Sequence, residues 1–224
     1  MIYCMRNQNI PIAAEGLPFI LGAAVAAVVL YFIATSSHSL LLYGLAAFAL
    51  VLTLFTAYFF RNPHRAVRSA DNEVLAPADG VVIFLGDATE DHLNQEMTKI
   101  SIFMSVFNVH INRVPLTGKL VDNYYVQGRF LDVRDERATF ENERNGIVIE
   151  TAHGLKIVVV QVAGLIARRI VCYPRVGEMV QKGQRYGLIR FGSRLDVYLP
   201  KGSAVAVKMG EKTVGGVTIL GRLP

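Results

Sequence analysis

Two long apolar runs, residues 17–35 and 40–60, open a chain whose remainder alternates short apolar runs with glycine-punctuated polar turns. The runs are 19 and 21 residues long, and each matches the roughly 20 residues that an α-helix needs to cross about 30 Å of hydrocarbon. Only Ser36-Ser37-His38-Ser39 separates them. That is room for a tight turn between antiparallel helices, so the pattern predicts a transmembrane hairpin with both ends on one side. A cleaved signal peptide is the alternative, but its apolar core is shorter and no second span follows it.

Pro63, in Arg61-Asn62-Pro63-His64-Arg65, ends the second helix. Beyond it, runs at 80–85, 99–111, 147–151, 156–162, 187–191 and 195–199 have the composition and length of strands. One helix is expected at 133–142, a charged segment that suits a mobile loop equally well. Long amphipathic stretches are scarce, which predicts a mostly β (α+β) domain. Pro77-Ala78-Asp79-Gly80-Val81-Val82 and Val176-Gly177-Glu178-Met179-Val180-Gln181-Lys182-Gly183 resemble turns of the flattened β-sandwich of biotinyl and lipoyl carrier domains. That likeness concerns architecture and leaves function open.

Charge sharpens the division. Of 23 Lys and Arg and 18 Asp and Glu, residues 1–60 hold only Arg6 and Glu15, so the net charge of +5 lies in residues 61–224. A basic domain tied to a bilayer is drawn to anionic headgroups. Nucleic acid is a poor fit, because Lys and Arg are not clustered among aromatics. Arg6 precedes the first span and Arg61, Arg65 and Arg68 follow the second, while the turn has no Lys or Arg. The positive-inside rule therefore puts both termini and the folded domain in the cytoplasm. Cys4 and Cys172 suggest neither a disulfide framework nor a zinc site.

Chemistry concentrates between Arg190 and Pro200. Gly192-Ser193 between two strands has a bland reading as a turn with a capping serine. The alternative is self-cleavage by an N-to-O acyl shift, in which the Ser193 hydroxyl attacks a Gly192 carbonyl left open by the missing side chain. Loss of the Ser193 α-proton then expels Gly192 as a carboxylate, and hydrolysis leaves a pyruvoyl group on a fragment of 32 residues, 193–224. Such a terminal ketone takes up a substrate amine and accepts the electrons freed as carbon dioxide leaves, the task of pyridoxal phosphate elsewhere. On the run 100–113, strand alternation carries Ile100, Ile102, Met104 and Val106 into Asn108, His110 and Asn112 on one face. A histidine there is either structural or a proton donor. Asp79 before Gly80 is a common turn residue and equally a carboxylate able to orient a base.

Phe59-Phe60-Arg61-Asn62-Pro63, Ala76-Pro77-Ala78-Asp79-Gly80 and the segments 103–115, 164–169 and 190–200, taken in order, resemble those of short phosphatidylserine decarboxylases. The resemblance implies conversion of phosphatidylserine to phosphatidylethanolamine and carbon dioxide, with a self-generated pyruvoyl cofactor from Ser193 and neither metal nor pyridoxal phosphate. It also implies that Asp79 belongs to the self-cleavage apparatus and that His110 transfers a proton, either to the carbon that carbon dioxide leaves or in the acyl shift. The implied partners are phosphatidylserine in the inner membrane and the two fragments of one precursor, 1–192 and 193–224, with a homo-oligomer open. Longer members carry His-x-x-His, where this chain reads His110-Ile111-Asn112-Arg113, and Leu-Gly-Ser-Thr, where it reads Phe191-Gly192-Ser193-Arg194.

Asn112, Arg113, Arg168 and Arg169 are candidates to hold the substrate phosphate or carboxylate, since guanidinium binds such groups through paired hydrogen bonds. Solvated surface charge is the competing role for the arginines. The other function class is a membrane-tethered carrier or adaptor module with Lys208 as attachment point, although Val207 stands where such carriers place methionine.

Overall fold

A computed structural model describes residues 8, 10–135, 137–165, 169–190 and 192–224. The chain forms two compact units, one at 9–64 and one from Arg65 to Pro224 with Gln8.

The first unit is the apolar hairpin, α1 (Leu17–Ser37) and α2 (Leu40–Phe59). Pro18 sits in the first turn of α1, where its missing N–H costs nothing. His38 closes that helix in the left-handed conformation at φ 49°. Thr35 and Ser37 return their hydroxyls to the carbonyls of Phe32 and Ile33, so the polar turn satisfies its own groups. Ala27, Ala34, Ala46 and Ala49 are the buried residues between the helices, small enough for close approach of the backbones. Leu21, Phe32, Leu40 and Phe48 point outward and are exposed. A helix pair whose large apolar side chains face out is suited to lipid. The outer ends are tied to each other, Ala13 N–H to Phe60 O at 2.8 Å and the Asn62 amide to Ile10 O at 2.9 Å.

In the second unit, the strands among the described residues are β1 (Glu73–Leu75), β2 (Gly80–Glu90), β3 (Gln95–Met104), β4 (Ile111–Arg113), β5 (Gly118–Val126), β6 (Arg144–Glu150), β7 (Lys156–Ala163), β8 (Ile170–Cys172), β9 (Met179–Val180), β10 (Arg185–Ile189), β11 (Ser193–Pro200), β12 (Ala204–Val205), β13 (Lys212–Thr213) and β14 (Ile219–Arg222). An eight-stranded antiparallel sheet runs β13-β2-β3-β11-β7-β6-β5-β9, and two three-stranded sheets run β1-β14-β12 and β4-β10-β8. Register shifts between Val82 and Phe84 and between Leu120 and Asp122 mark bulges that curl the large sheet.

Its inner face carries Ile100, Ile102, Ile147, Ile149, Ile157, Val159, Leu195 and Val197 in one core. The outer face is apolar along β6 and β7 as well, where Val148, Val158, Val160 and Val162 pack with Val133 from the loop 131–142. Burial on both faces is why 157–160 reads as an unbroken apolar run.

The mostly β domain after a two-helix hairpin is as the sequence predicts. Two boundaries differ. The strand expected over 99–111 stops at Met104, because the Asn108 carboxamide oxygen accepts from both the N–H and the hydroxyl of Ser105, at 2.9 and 2.8 Å, and bends the chain. Asn108, His110 and Asn112 therefore do not continue the face of Ile100 and Ile102, and Ile111–Arg113 joins the β4-β10-β8 sheet. The helix expected over 133–142 shrinks to α3 (Ala138–Glu141). Asp132 pairs with Arg134 at 2.6 Å and Asp135 with Arg137 at 2.7 Å, and residues two apart lie on different sides of a helix.

Candidate active site at the Gly192-Ser193 junction

Ser193 is the first residue of β11, a central strand, paired with Met104 on one side and Ala163 on the other. Alternation along β11 sends Ser193, Leu195 and Val197 inward and Arg194, Asp196 and Tyr198 outward. The Ser193 side chain is fully buried, with its Oγ 3.5 Å from Met104 Sδ. The same sulfur lies 3.8 Å from the amide nitrogen of Asn112, whose Oδ1 accepts from Gln161 Nε2 at 2.8 Å. A buried polar chain thus leads from the hydroxyl through a thioether to two carboxamides, under an otherwise apolar sheet face.

Gly192 precedes it at φ +59°, and a Cβ there would meet no atom within 4 Å. The left-handed backbone selects glycine. The Gly192 carbonyl oxygen lies against Gly164, where a Cβ would stand 2.3 Å from it and 3.2 Å from Val133 Cγ1. Phe103, Met104, Val106, Val133 and Leu165 line a largely apolar cavity of about 270 Å³ beside Gly192.

His110 is buried, and its Nδ1 lies 3.0 Å from the carbonyl of Asn108. A carbonyl only accepts, so in the neutral ring Nδ1 carries the hydrogen and Nε2 is the basic nitrogen. Two residues on, Asn112 reaches the thioether that touches Ser193.

Asp79 is held in a different set of contacts. Its carboxylate pairs with Arg65 at 2.9 Å and accepts the Gly215 N–H at 2.7 Å. Val81 and Arg194 both pair with Phe103, so Asp79 and Ser193 lie near one end of the sheet with β3 between them, two strand spacings or about 10 Å apart. Arg113 is buried beside this pair, donating to Gly183 O at 3.0 Å. Burial, and then the neighbouring Arg65, lower its pKa to about 10. Arg169 is exposed, with its carbonyl accepting from Arg190 N–H at 3.2 Å. Arg168 lies outside the described residues.

On the outer face, Arg194 forms two contacts with Asp196, at 2.8 and 2.9 Å, and Lys99 approaches the same carboxylate at 3.3 Å. Burial pushes the Asp196 carboxyl up, but Arg194 and Lys99 outweigh that and leave it below the usual range.

Sequence reasoning singled out Ser193, Gly192, His110, Asn112 and Asp79, and missed Met104, Gln161, Gly164, Arg65, Lys99, Thr139 and Asp196. Most of these are set by register between distant strands, which no local pattern carries. Gly164 alone had a signal, as a lone glycine closing an apolar run. Lys208 is exposed, and Val207 beside it is buried in the core.

The family model described as Phosphatidylserine decarboxylase matches residues 52–221. A phosphatidylserine decarboxylase proenzyme of Geotalea uraniireducens is 66% identical over 220 residues, covering 98% of this chain and 100% of the relative. Proenzymes of Geobacter metallireducens and Geobacter sulfurreducens are 64% and 62% identical over the same shares. The match runs through the hairpin, both small sheets and the Gly192-Ser193 junction, and the chain belongs to the phosphatidylserine decarboxylase family.

Proposed function

We propose that this chain is a proenzyme that cleaves itself between Gly192 and Ser193 and then decarboxylates phosphatidylserine to phosphatidylethanolamine. The observation that carries the reading is a buried serine at the start of a central strand, preceded by a left-handed glycine whose side-chain position is open. Ser193 Oγ attacks the Gly192 carbonyl carbon. The amide C–N bond breaks, an ester C–O bond forms, and the hydroxyl proton passes to the nitrogen. Removal of the Ser193 α-proton expels the Gly192 carboxylate and leaves a dehydroalanine. One water then hydrolyses its imine form, releasing ammonia and leaving a terminal ketone. Asp79 supports this cleavage from across β3, its side chain fixed in place by Arg65 and the Gly215 N–H.

The residues around position 193 suit such a group, since Ser193 is buried and its hydroxyl touches the Met104 thioether, which the Asn112 carboxamide also contacts. When present, the ketone supplies an electron sink for the carboxylate-bearing carbon of an amine substrate. His110 Nε2, the basic nitrogen, takes up a proton and passes it to the carbon that loses carbon dioxide. Asn112 orients polar substrate atoms beside Ser193, with Gln161 fixing its carboxamide. Phe103, Val106, Val133 and Leu165 give the Gly192 side an apolar lining. Arg169, exposed and bonded through its carbonyl to Arg190, two residues before Gly192, attracts the phosphate, and Arg168 is proposed with it. Arg113, buried against Gly183 O, acts on the substrate through the charge of the Asp79 cluster.

The two helices anchor the enzyme in the cell membrane with the folded domain and both termini on the cytoplasmic side, supported by the arginines that flank the spans and their absence from the turn. Fragments 1–192 and 193–224 stay together through the pairing of β11 with β3 and β7. The test is release of labelled carbon dioxide from carboxyl-labelled phosphatidylserine in mixed micelles. The wild-type chain should release it and Ser193→Ala should not; equal release by both contradicts the reading.

A further inference from the structure

On the outer face of the large sheet the charged side chains of Lys99, Arg194 and Asp196 come together and are almost wholly buried. Arg194 follows the cleaved serine directly. Besides Asp196, its guanidinium donates to Val133 O at 2.7 Å and to Thr139 Oγ1 at 2.8 Å. Lys99 Nζ donates to the same Thr139 oxygen at 3.1 Å, and lies 5.4 and 5.6 Å from the ring centroids of Phe84 and Tyr198. Thr139 and Val133 belong to the loop 131–142, which is pinned at its base by Asn142, bonded to Leu131 and to Ala163 O. Val133 also lines the cavity at Gly192.

A buried ion cluster is an inefficient way to stabilise a sheet face compared with apolar side chains. Val158, Val160 and Val162 on the same face show the apolar solution. What the charges add is direction, since each contact fixes both partners to a few tenths of an ångström. The contacts also cross the proposed cut. Arg194 and Asp196 fall on the smaller fragment, and Lys99, Val133 and Thr139 on the larger one.

We propose that Arg194, Asp196, Lys99 and Thr139 form a latch that ties the loop 131–142 to the start of β11 and keeps residue 193 seated after the Gly192-Ser193 bond breaks. These are positioning residues, and the proposal rests on the self-cleavage described above. A strand that gains a free end frays at its first residues. The latch grips the second one from the face opposite the reaction. It also holds Val133 over the junction as a roof against water.

Thr139→Val tests this, because it keeps the shape and removes the oxygen shared by both cations. In the purified mature protein, kcat should fall about tenfold with KM within about twofold, as expected for displaced reacting groups. Trypsin should nick the loop after the exposed Arg134 or Arg137 several times faster. Thr139→Ser should restore both properties. Wild-type turnover and nicking in Thr139→Val would overturn the latch. So would a loss of turnover that tracks melting temperature and is not restored by serine. If Thr139→Val fails to fold, Arg194→Lys, which keeps the charge but cannot hold Asp196, Thr139 and Val133 O together, should show the same pattern, and wild-type behaviour in it overturns the latch. A wild-type chain that never splits would sink the cleavage reading, while the nicking comparison would still decide whether the loop is tied.

Discussion

The thioether of Met104 and the carboxamides of Asn112 and Gln161 make the surroundings of Ser193 polar without making them wet. Asn112→Ala removes the shorter of two acceptors of Gln161 Nε2, leaving Val171 O at 3.3 Å, and a buried donor hydrogen left unsatisfied costs about 1–3 kcal/mol. Its denaturant midpoint should fall accordingly while cleavage persists, and an unchanged midpoint would show that Val171 O takes over the lost bond. His110→Ala should split normally and lose about a hundredfold in kcat with little change in KM, the cost of a missing proton donor. Turnover within a few-fold of wild type would remove His110 from the reaction. The sequence made Ser193 and His110 legible because their chemistry is a property of residue type. It hid Met104 and Gln161, whose place depends on β3 and β7 lying on either side of β11.

At the scale of elements, the β7 end and the junction are fitted to each other. Gly164→Ala would drive a Cβ to 2.3 Å from the Gly192 carbonyl oxygen, so self-cleavage followed on a denaturing gel should slow by an order of magnitude or more. Cleavage at the wild-type rate would mean that the carbonyl is not held there. The β11 latch carries a pH signature. The Asp196 carboxyl titrates lower in the folded chain than its usual value of 3.8, so its stabilisation is complete above that value and is lost as pH falls through the lower, folded one. Melting temperatures from pH 6 to pH 3 should therefore fall more steeply for wild type than for Asp196→Asn, and parallel curves would contradict the ion pairing. The runs on β2, β7 and β11 could be read from composition because they are apolar and β-branched. β5 escaped notice because its 118–126 stretch mixes Lys119, Asp122 and Asn123 with its apolar residues. The helix expected at 133–142 failed because local Asp-Arg pairs and the reach of Arg194 decide that loop.

For the whole molecule, hairpin and domain divide the work of finding a lipid and transforming it. The hairpin was the clearest element in the sequence, since exclusion of charge over residues 16–60 needs no tertiary context. The domain's sheet order was illegible, because β11 joins partners 30 to 40 residues away on β7 and 89 to 103 residues away on β3. The central claim is that the backbone opens ahead of residue 193 and leaves a ketone. Intact-mass measurement of the purified wild-type protein tests it directly. The account predicts two polypeptides, the smaller beginning at position 193, resistant to N-terminal sequencing and lighter by one ammonia than the unmodified 193–224 peptide. A single continuous chain that is fully active, or a smaller fragment with an ordinary N-terminal serine, would contradict it.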